Sequence, residues 1–143
     1  MRIVSLLFIL FLTLSASPEA AKELGYYSDY NSALSVAKKE NKPVMLVVVT
    51  SYCPWCRKFE RKTLGSGSIA PLIKSTYIPV IVDRNKDAAA FPQKFQTPRI
   101  PTVFFIDPMN GIAYWESIGY LNKKEFSEAL NDAQKLFEKR QKQ

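Results

Sequence analysis

The feature that most constrains the fold is a run of six apolar residues, Val44–Val49, four of which are valines. A strand buried on both faces of a sheet has such a continuous, largely β-branched pattern, whereas a half-buried strand alternates between apolar and polar residues. Ile78–Val82 has the same character. We therefore expect two central strands, and the helical patterns around them predict an α/β domain with a mixed sheet flanked by helices.

The rest of the chain supplies helices and a hairpin. Apolar residues recur at helical spacing from Tyr30, and that helix should end near Asn41, ahead of Pro43. Asn122, with Glu125 three residues later, predicts a capping box at the start of the last helix. The other expected elements are a helix from position 53 through Phe59 toward Leu64, a short helix Ile69–Lys74, a helix Lys86–Phe95 interrupted at Pro92, and a hairpin of Val103–Ile106 with Ile112–Ser117.

The amino-terminal segment has the pattern of an export signal. Arg2 precedes the apolar stretch Ile3–Leu14, and small residues follow it. With 143 residues in all, we expect a secretory signal over residues 1–21 and one domain over residues 22–143. The cleavage site stays open, and an uncleaved inner-membrane anchor is the alternative.

Composition excludes several kinds of site. The chain has no histidine, which excludes an imidazole base and histidine-ligated metals, and we expect no metal site. Its net charge of +7 comes from Lys and Arg scattered through the helical segments, without a basic stripe interleaved with aromatic residues. We therefore expect a solvated basic surface and no nucleic-acid partner. The basic ending, residues 139–143, is expected to be a frayed tail.

The only two cysteines lie in the sequence Cys53-Pro54-Trp55-Cys56, directly after the first buried strand. At this spacing the thiols can close a small disulfide and reopen it, which suits electron transfer. Two other interpretations are a structural disulfide and half of a zinc site shared between two chains. Zinc needs four ligands, and this chain supplies two cysteines. We favour a redox site.

The order of these motifs resembles the thioredoxin superfamily. The Cys-Pro-Trp-Cys sequence lies between a buried strand and a helix, and Ile100-Pro101-Thr102 comes just before the hairpin. More narrowly, Lys42-Pro43-Val44, the cysteine pair, Phe59-Glu60 and the proline segment are similar to the carboxyl-terminal thioredoxin-like domain of the membrane electron transporter DsbD and its small exported relatives. The resemblance covers about Tyr26 to Phe137 and implies a thioredoxin fold.

Two departures from the wider family matter. Val47 stands where classical thioredoxins and the DsbD domain carry a buried aspartate, whereas Glu60 matches a second acidic position of the DsbD-type domain. Only 17 residues separate Val82 from Ile100, which leaves no room for the helical insert of DsbA-type oxidases.

Each site residue has an expected role. If Cys53 caps the helix, the unpaired N–H groups and the helix dipole favour its thiolate, so we expect its pKa to fall and Cys53 to be the nucleophile. Cys56 would then resolve the mixed disulfide, and Glu60 could accept its proton unless it is a surface carboxylate paired with Arg57. Pro54 at the first helical position fixes the turn, and Trp55 offers an apolar surface to the substrate.

The resemblance completes the site and the function. It implies that Pro101 is a cis-proline facing the disulfide and that the backbone of Ile100 pairs with an extended substrate. We expect a periplasmic thiol:disulfide oxidoreductase, a reductase of exported proteins, monomeric, fed by a DsbD-type membrane donor and needing no cofactor beyond the Cys53–Cys56 pair. The alternatives are a dithiol oxidase or isomerase, and a non-catalytic client-binding module.

Overall fold

The structure is a computed structural model that describes residues 19–143. Residues 1–18, which hold most of the expected signal, lie outside the described residues. The described part contains helices α1 (Glu19–Leu24), α2 (Tyr30–Glu40), α3 (Pro54–Phe59), α4 (Ala70–Thr76) and α5 (Lys123–Gln141), and strands β1 (Val44–Val49), β2 (Ile78–Asp83), β3 (Thr102–Asp107) and β4 (Ile112–Ile118). A π-helical turn, Glu60–Leu64, continues α3, and Gln93–Phe95 forms a 3-10 turn.

The four strands form one mixed sheet in the order β2-β1-β3-β4. β1 pairs in parallel with β2 and antiparallel with β3, and β4 completes an antiparallel hairpin with β3. Every residue of β1 and β2 is buried, as the apolar runs predict. The buried position of β1 means that the chain leaves the sheet for the cysteine segment from the centre of the molecule.

Helices cover both faces of the sheet. On one face, Met45 and Val47 pack with Phe59 of α3 and with Phe126 and Leu130 of α5. The opposite face of β1 packs against α2 and against two phenylalanines of the segment before β3. The buried residues of this second cluster include Val44, Leu46, Val48, Tyr30, Ala33, Ala37, Phe91 and Phe95. No helix among residues 19–143 is long and apolar enough to span a membrane.

Both predicted helix-end signals are confirmed. Asn122 accepts hydrogen bonds from the amides of Lys124 and Glu125, and the Glu125 carboxylate accepts one from the Asn122 amide at 2.9 Å. Helix α2 ends at Asn41, whose φ of 50° is the left-handed conformation that closes a helix.

The predicted helix Lys86–Phe95 is wrong. These residues form turns and the short 3-10 turn Gln93–Phe95 instead. The Asp83 carboxylate accepts from the amides of Asn85 and Lys86, as a helix cap would, but the turn does not continue as a helix. Pro92 has no N–H and an extended backbone, and it disfavours the helical conformation of the residue before it.

The carboxyl-terminal end of the domain also differs from expectation. Residues 139–141 were expected to be frayed, but they are helical, because α5 continues to Gln141. Phe137 is buried, and the Arg140 guanidinium lies 5.9 Å from the centre of the Tyr114 ring, which holds the last turns. At the other end, Ala20 and Ala21 of α1 are buried in the core.

Candidate active site

The cysteine segment lies at the carboxyl end of β1. A short loop, residues 50–52, leads from the sheet to Cys53, which is the N-cap of α3 with an extended backbone. Pro54 occupies the first turn, where a missing N–H removes no helical hydrogen bond. The predicted cap at Cys53 is therefore present, and its sulfur faces the unpaired amides of the first turn.

The two sulfurs form a disulfide, and the Cα atoms of Cys53 and Cys56 are 5.2 Å apart. The Cys56 amide donates a hydrogen bond of 3.1 Å to the Cys53 sulfur. Cys56 is fully buried, whereas Cys53 is partly exposed. Of the two cysteines, Cys53 is thus the one open to an approaching molecule.

The proline segment lies next to the cysteines. The Ile100–Pro101 peptide bond is cis. The Gly119 amide donates to the Pro101 carbonyl at 2.7 Å, and the Thr102 hydroxyl donates to the Arg99 carbonyl at 2.7 Å. Among residues 19–143, no hydrogen bond uses the amide or the carbonyl of Ile100. The segment is thus held on both sides, with one peptide edge left unpaired.

An apolar groove of about 320 Å³ joins the two segments. Its walls are Trp55, Ile100, Gly119 and Tyr120. Trp55 is 58% exposed, and its ring lies 5.6 Å from that of Tyr120. Sequence reasoning missed Gly119 and Tyr120, because only the tertiary fold brings the end of β4 to the cysteine segment.

Glu60 is buried at the junction of α3 and the π-helical turn, with 6% exposure. Its carboxylate accepts a hydrogen bond of 3.2 Å from Arg57. Burial raises the pKa of Glu60 above its ordinary value, and the Arg57 charge and hydrogen bond only partly oppose this. The sequence left open whether Glu60 is a proton acceptor or a surface carboxylate paired with Arg57. The pairing with Arg57 is present, but the Glu60 carboxylate is buried.

Asp83, at the end of β2, fixes the loop before Cys53. Its carboxylate accepts from the Ser51 amide at 2.8 Å and from the Ser51 hydroxyl at 2.6 Å, besides the two amides of the following turn. Burial alone would raise the pKa of Asp83, but these hydrogen bonds outweigh it and lower the pKa. The sequence places Asp83 only at a strand end, because its position beside Val49 is set by the pairing of β1 with β2 in the fold.

A cavity of about 270 Å³ lies between these two carboxylates. Its lining includes Val49, Ser51, Arg57, Glu60 and Asp83, and residues of α1 complete one wall. The cavity gives the buried Glu60 a polar surrounding behind the cysteine segment. The arrangement as a whole offers an exposed sulfur, a buried second sulfur, an acid on the same helix and an unpaired peptide edge.

Comparison with known sequences identifies a family and several relatives. The profile of the thioredoxin-like domain family matches residues 30–134. Spermatogenesis-associated protein 20 of Rattus norvegicus is 34% identical over 67 residues, which is 47% of this chain and 8% of that protein. The thiol:disulfide interchange protein DsbD of Yersinia pestis (strain Pestoides F) is 25% identical over 100 residues, 68% of this chain and 17% of DsbD. The chain thus spans less than a fifth of either protein.

Solved structures show the same fold. A thioredoxin from Thermus thermophilus superposes with a TM-score of 0.65 at 20% identity, over 75% of this chain and 85% of that one. The carboxyl-terminal domain of Neisseria meningitidis DsbD in its oxidised form gives a TM-score of 0.60 at 16% identity, over 76% of this chain and 98% of that one. The predicted fold class, a mixed sheet flanked by helices in the thioredoxin arrangement, is confirmed.

Proposed function

Because the chain belongs to the thioredoxin-like domain family, with homology to DsbD, we propose that it is a periplasmic reductase of disulfides in exported proteins. The observation that carries the proposal is the unequal exposure of the two sulfurs, with Cys53 at the mouth of a helix and Cys56 buried behind it. This arrangement gives the two thiols separate tasks in one exchange reaction.

The reaction starts from the reduced pair. The Cys53 thiolate attacks one sulfur of a client disulfide, so a Cys53–client disulfide forms, the client's own disulfide breaks, and a client thiolate leaves and takes up a proton. Cys56 then loses its proton and attacks the Cys53 sulfur. The Cys53–Cys56 disulfide forms, the second client thiolate leaves, and two electrons have passed to the client.

Glu60 is the proposed proton acceptor for Cys56. The two residues are four positions apart on one helix and therefore share a face. A carboxylate whose pKa is raised by burial accepts a proton more readily near neutral pH than an exposed one does. Val47 leaves no acid at the position on β1 that other thioredoxins use for this purpose.

The client is proposed to lie along the proline segment. The unpaired amide and carbonyl of Ile100 can bond to an extended peptide, in the manner of an added strand. Trp55 lies across the groove from Ile100. Pro101, directly after that edge, and Pro54, beside Trp55, are proposed to contact the client as well. The protein acts as a monomer in this proposal and needs no cofactor besides its two thiols.

Regeneration of the dithiol needs a reductant from outside the chain, and we assign this to a membrane transporter of the DsbD type. The export signal expected over residues 1–21 would place the protein in the oxidising compartment where such a transporter delivers electrons. Detection of the protein in a periplasmic fraction would support the location, and its recovery with cytoplasmic proteins would contradict it.

The direction of electron flow is tested by equilibrating the protein with glutathione redox buffers. A reductase should have a potential near that of thioredoxin, about −270 mV, whereas a potential near that of a strong oxidase, about −120 mV, would overturn the proposal. A pair that stays oxidised in every buffer would favour a permanent disulfide in a non-catalytic client-binding module instead.

A further inference from the structure

Lys58 is held at the rim of the active-site groove by two aromatic rings. Its ammonium lies 4.8 Å from the centre of the Trp55 ring and 4.7 Å from that of the Tyr120 ring. Both rings are walls of the groove. A cation on an aromatic face is attracted to it, so the flexible side chain is already placed before anything binds. Within residues 19–143, no ion pair includes Lys58.

Cationic residues are frequent in the two segments that border the groove. The helical segment after Cys56 carries four cationic residues, which are Arg57, Lys58, Arg61 and Lys62. The acid within this segment, Glu60, is buried and already paired with Arg57. On the other side, the exposed Arg99 directly precedes Ile100. Arg57 and Arg61 line other cavities together with Glu60. The cation held against the groove on its helical side is therefore Lys58, and Arg99 precedes its other wall.

We infer that the groove selects client segments that carry an acidic side chain beside the reacting cysteine, and that the Lys58 ammonium binds this acidic side chain. The inference rests on the proposed function and names its substrate class. A client peptide bonded to the edge of Ile100 would extend past Trp55 and Tyr120, where Lys58 is placed. Complementary charge at such a rim accelerates encounter and discriminates between partners more than it adds affinity.

The test uses short extended peptides with one cysteine, each activated as a mixed disulfide with 2-thiopyridine, a neutral leaving group. The peptides differ only in the residue next to the cysteine, which is Asp, Asn or Lys. Attack by the Cys53 thiolate joins Cys53 to the peptide and releases pyridine-2-thione, whose absorbance gives the rate. With the reduced protein, we expect the Asp peptide to react about threefold faster than the Asn peptide, and the Lys peptide to be slower still.

Variants assign the preference to Lys58. Lys58→Met keeps the apolar stem and removes the charge, so the Asp-to-Asn ratio should fall to about one, and Lys58→Arg should retain the ratio. Lys39→Met is the matched control. It removes the same charge from α2, which leads to the opposite end of β1 from Cys53, and it should leave the ratio unchanged.

The ratio between peptides cancels any effect of a variant on the reactivity of the Cys53 sulfur itself. High salt should reduce the preference in the unmodified protein, because exposed charges are screened. Equal rates for the Asp and Asn peptides, or a ratio that survives in Lys58→Met, would overturn this inference and leave the proposed function standing. No release above that of free cysteine with any peptide would overturn both.

Discussion

Cys53 and Cys56 differ in their access to solvent, and this difference predicts their roles. Replacement Cys56→Ser should leave a stable mixed disulfide between Cys53 and a client, because no second thiol can release it. Replacement Cys53→Ser should leave none, because the remaining thiol is fully buried. Non-reducing electrophoresis followed by mass spectrometry measures the adducts. Equal trapping by both variants would contradict the assignment.

Glu60 should make stability depend on pH in a defined direction. Its pKa is raised in the folded state, so the folded protein binds more protons than the unfolded chain between the ordinary value of 4.5 and the raised pKa. The contribution of Glu60 to stability is therefore present below pH 4.5 and lost as the pH rises through the folded pKa. The free energy of unfolding of the unmodified protein should fall relative to Glu60→Gln over this window.

A matched control is Glu128→Gln, which changes an exposed carboxylate on α5 and should show no such trend.

Glu60→Gln should also slow the resolution of the mixed disulfide at neutral pH by about tenfold or more, if the carboxylate accepts the Cys56 proton. Rapid-quench measurements of mixed-disulfide decay test this. An unchanged decay rate would leave Glu60 with a structural role only.

Asp83 is a second buried carboxylate, and its pKa is shifted in the direction opposite to that of Glu60. Its pKa is lowered, so its contribution to stability is present above its ordinary value of 3.8 and lost as the pH falls through the folded pKa. Asp83→Asn should cost about 1–3 kcal/mol near neutral pH, because the Ser51 amide loses a charged acceptor. Denaturant unfolding measures the loss, and the exposed Asp132→Asn on α5 is the control. An equal effect of both variants would contradict a special role for Asp83.

The two buried strands and the last helix are the elements that the sequence determines most directly. The apolar runs of β1 and β2 and the capping box at Asn122 are local patterns, and all three are confirmed. The predicted helix Lys86–Phe95 fails because Pro92 is extended and disfavours the helical conformation before it, an effect on the backbone that apolar periodicity does not reveal. Helix α5 extends into the expected frayed tail because the Arg140 guanidinium contacts the Tyr114 ring on β4, which lies far away in the sequence.

Helix α5 offers a clean test of a local stabilising element. Asn122→Ala removes the acceptor for the amides of Lys124 and Glu125, at 3.0 and 3.1 Å. The free energy of unfolding should fall by about 0.5–2 kcal/mol. Asn131→Ala, at an exposed position in the middle of the same helix, serves as the control and should cost less. A smaller loss at Asn122 than at Asn131 would contradict the capping account.

The complete site belongs to the molecule and not to any one segment. The sequence locates the cysteines and the proline segment, because each is a short motif with a fixed spacing. It does not locate Tyr120, or decide whether Glu60 is buried, because both depend on parts of the chain that meet only in the fold. Glu60 shares a cavity with Asp83 and with residues of α1, which no local pattern connects.

The proposed mechanism requires the Cys53 sulfur at the amino terminus of α3 to be an ionised and accessible nucleophile. The most direct measurement is the rate of alkylation of Cys53 against pH in the Cys56→Ser variant, where Cys53 is the one cysteine left. The account predicts a midpoint clearly below that of free cysteine, whose pKa is about 8.5. A midpoint at or above that of free cysteine would contradict it.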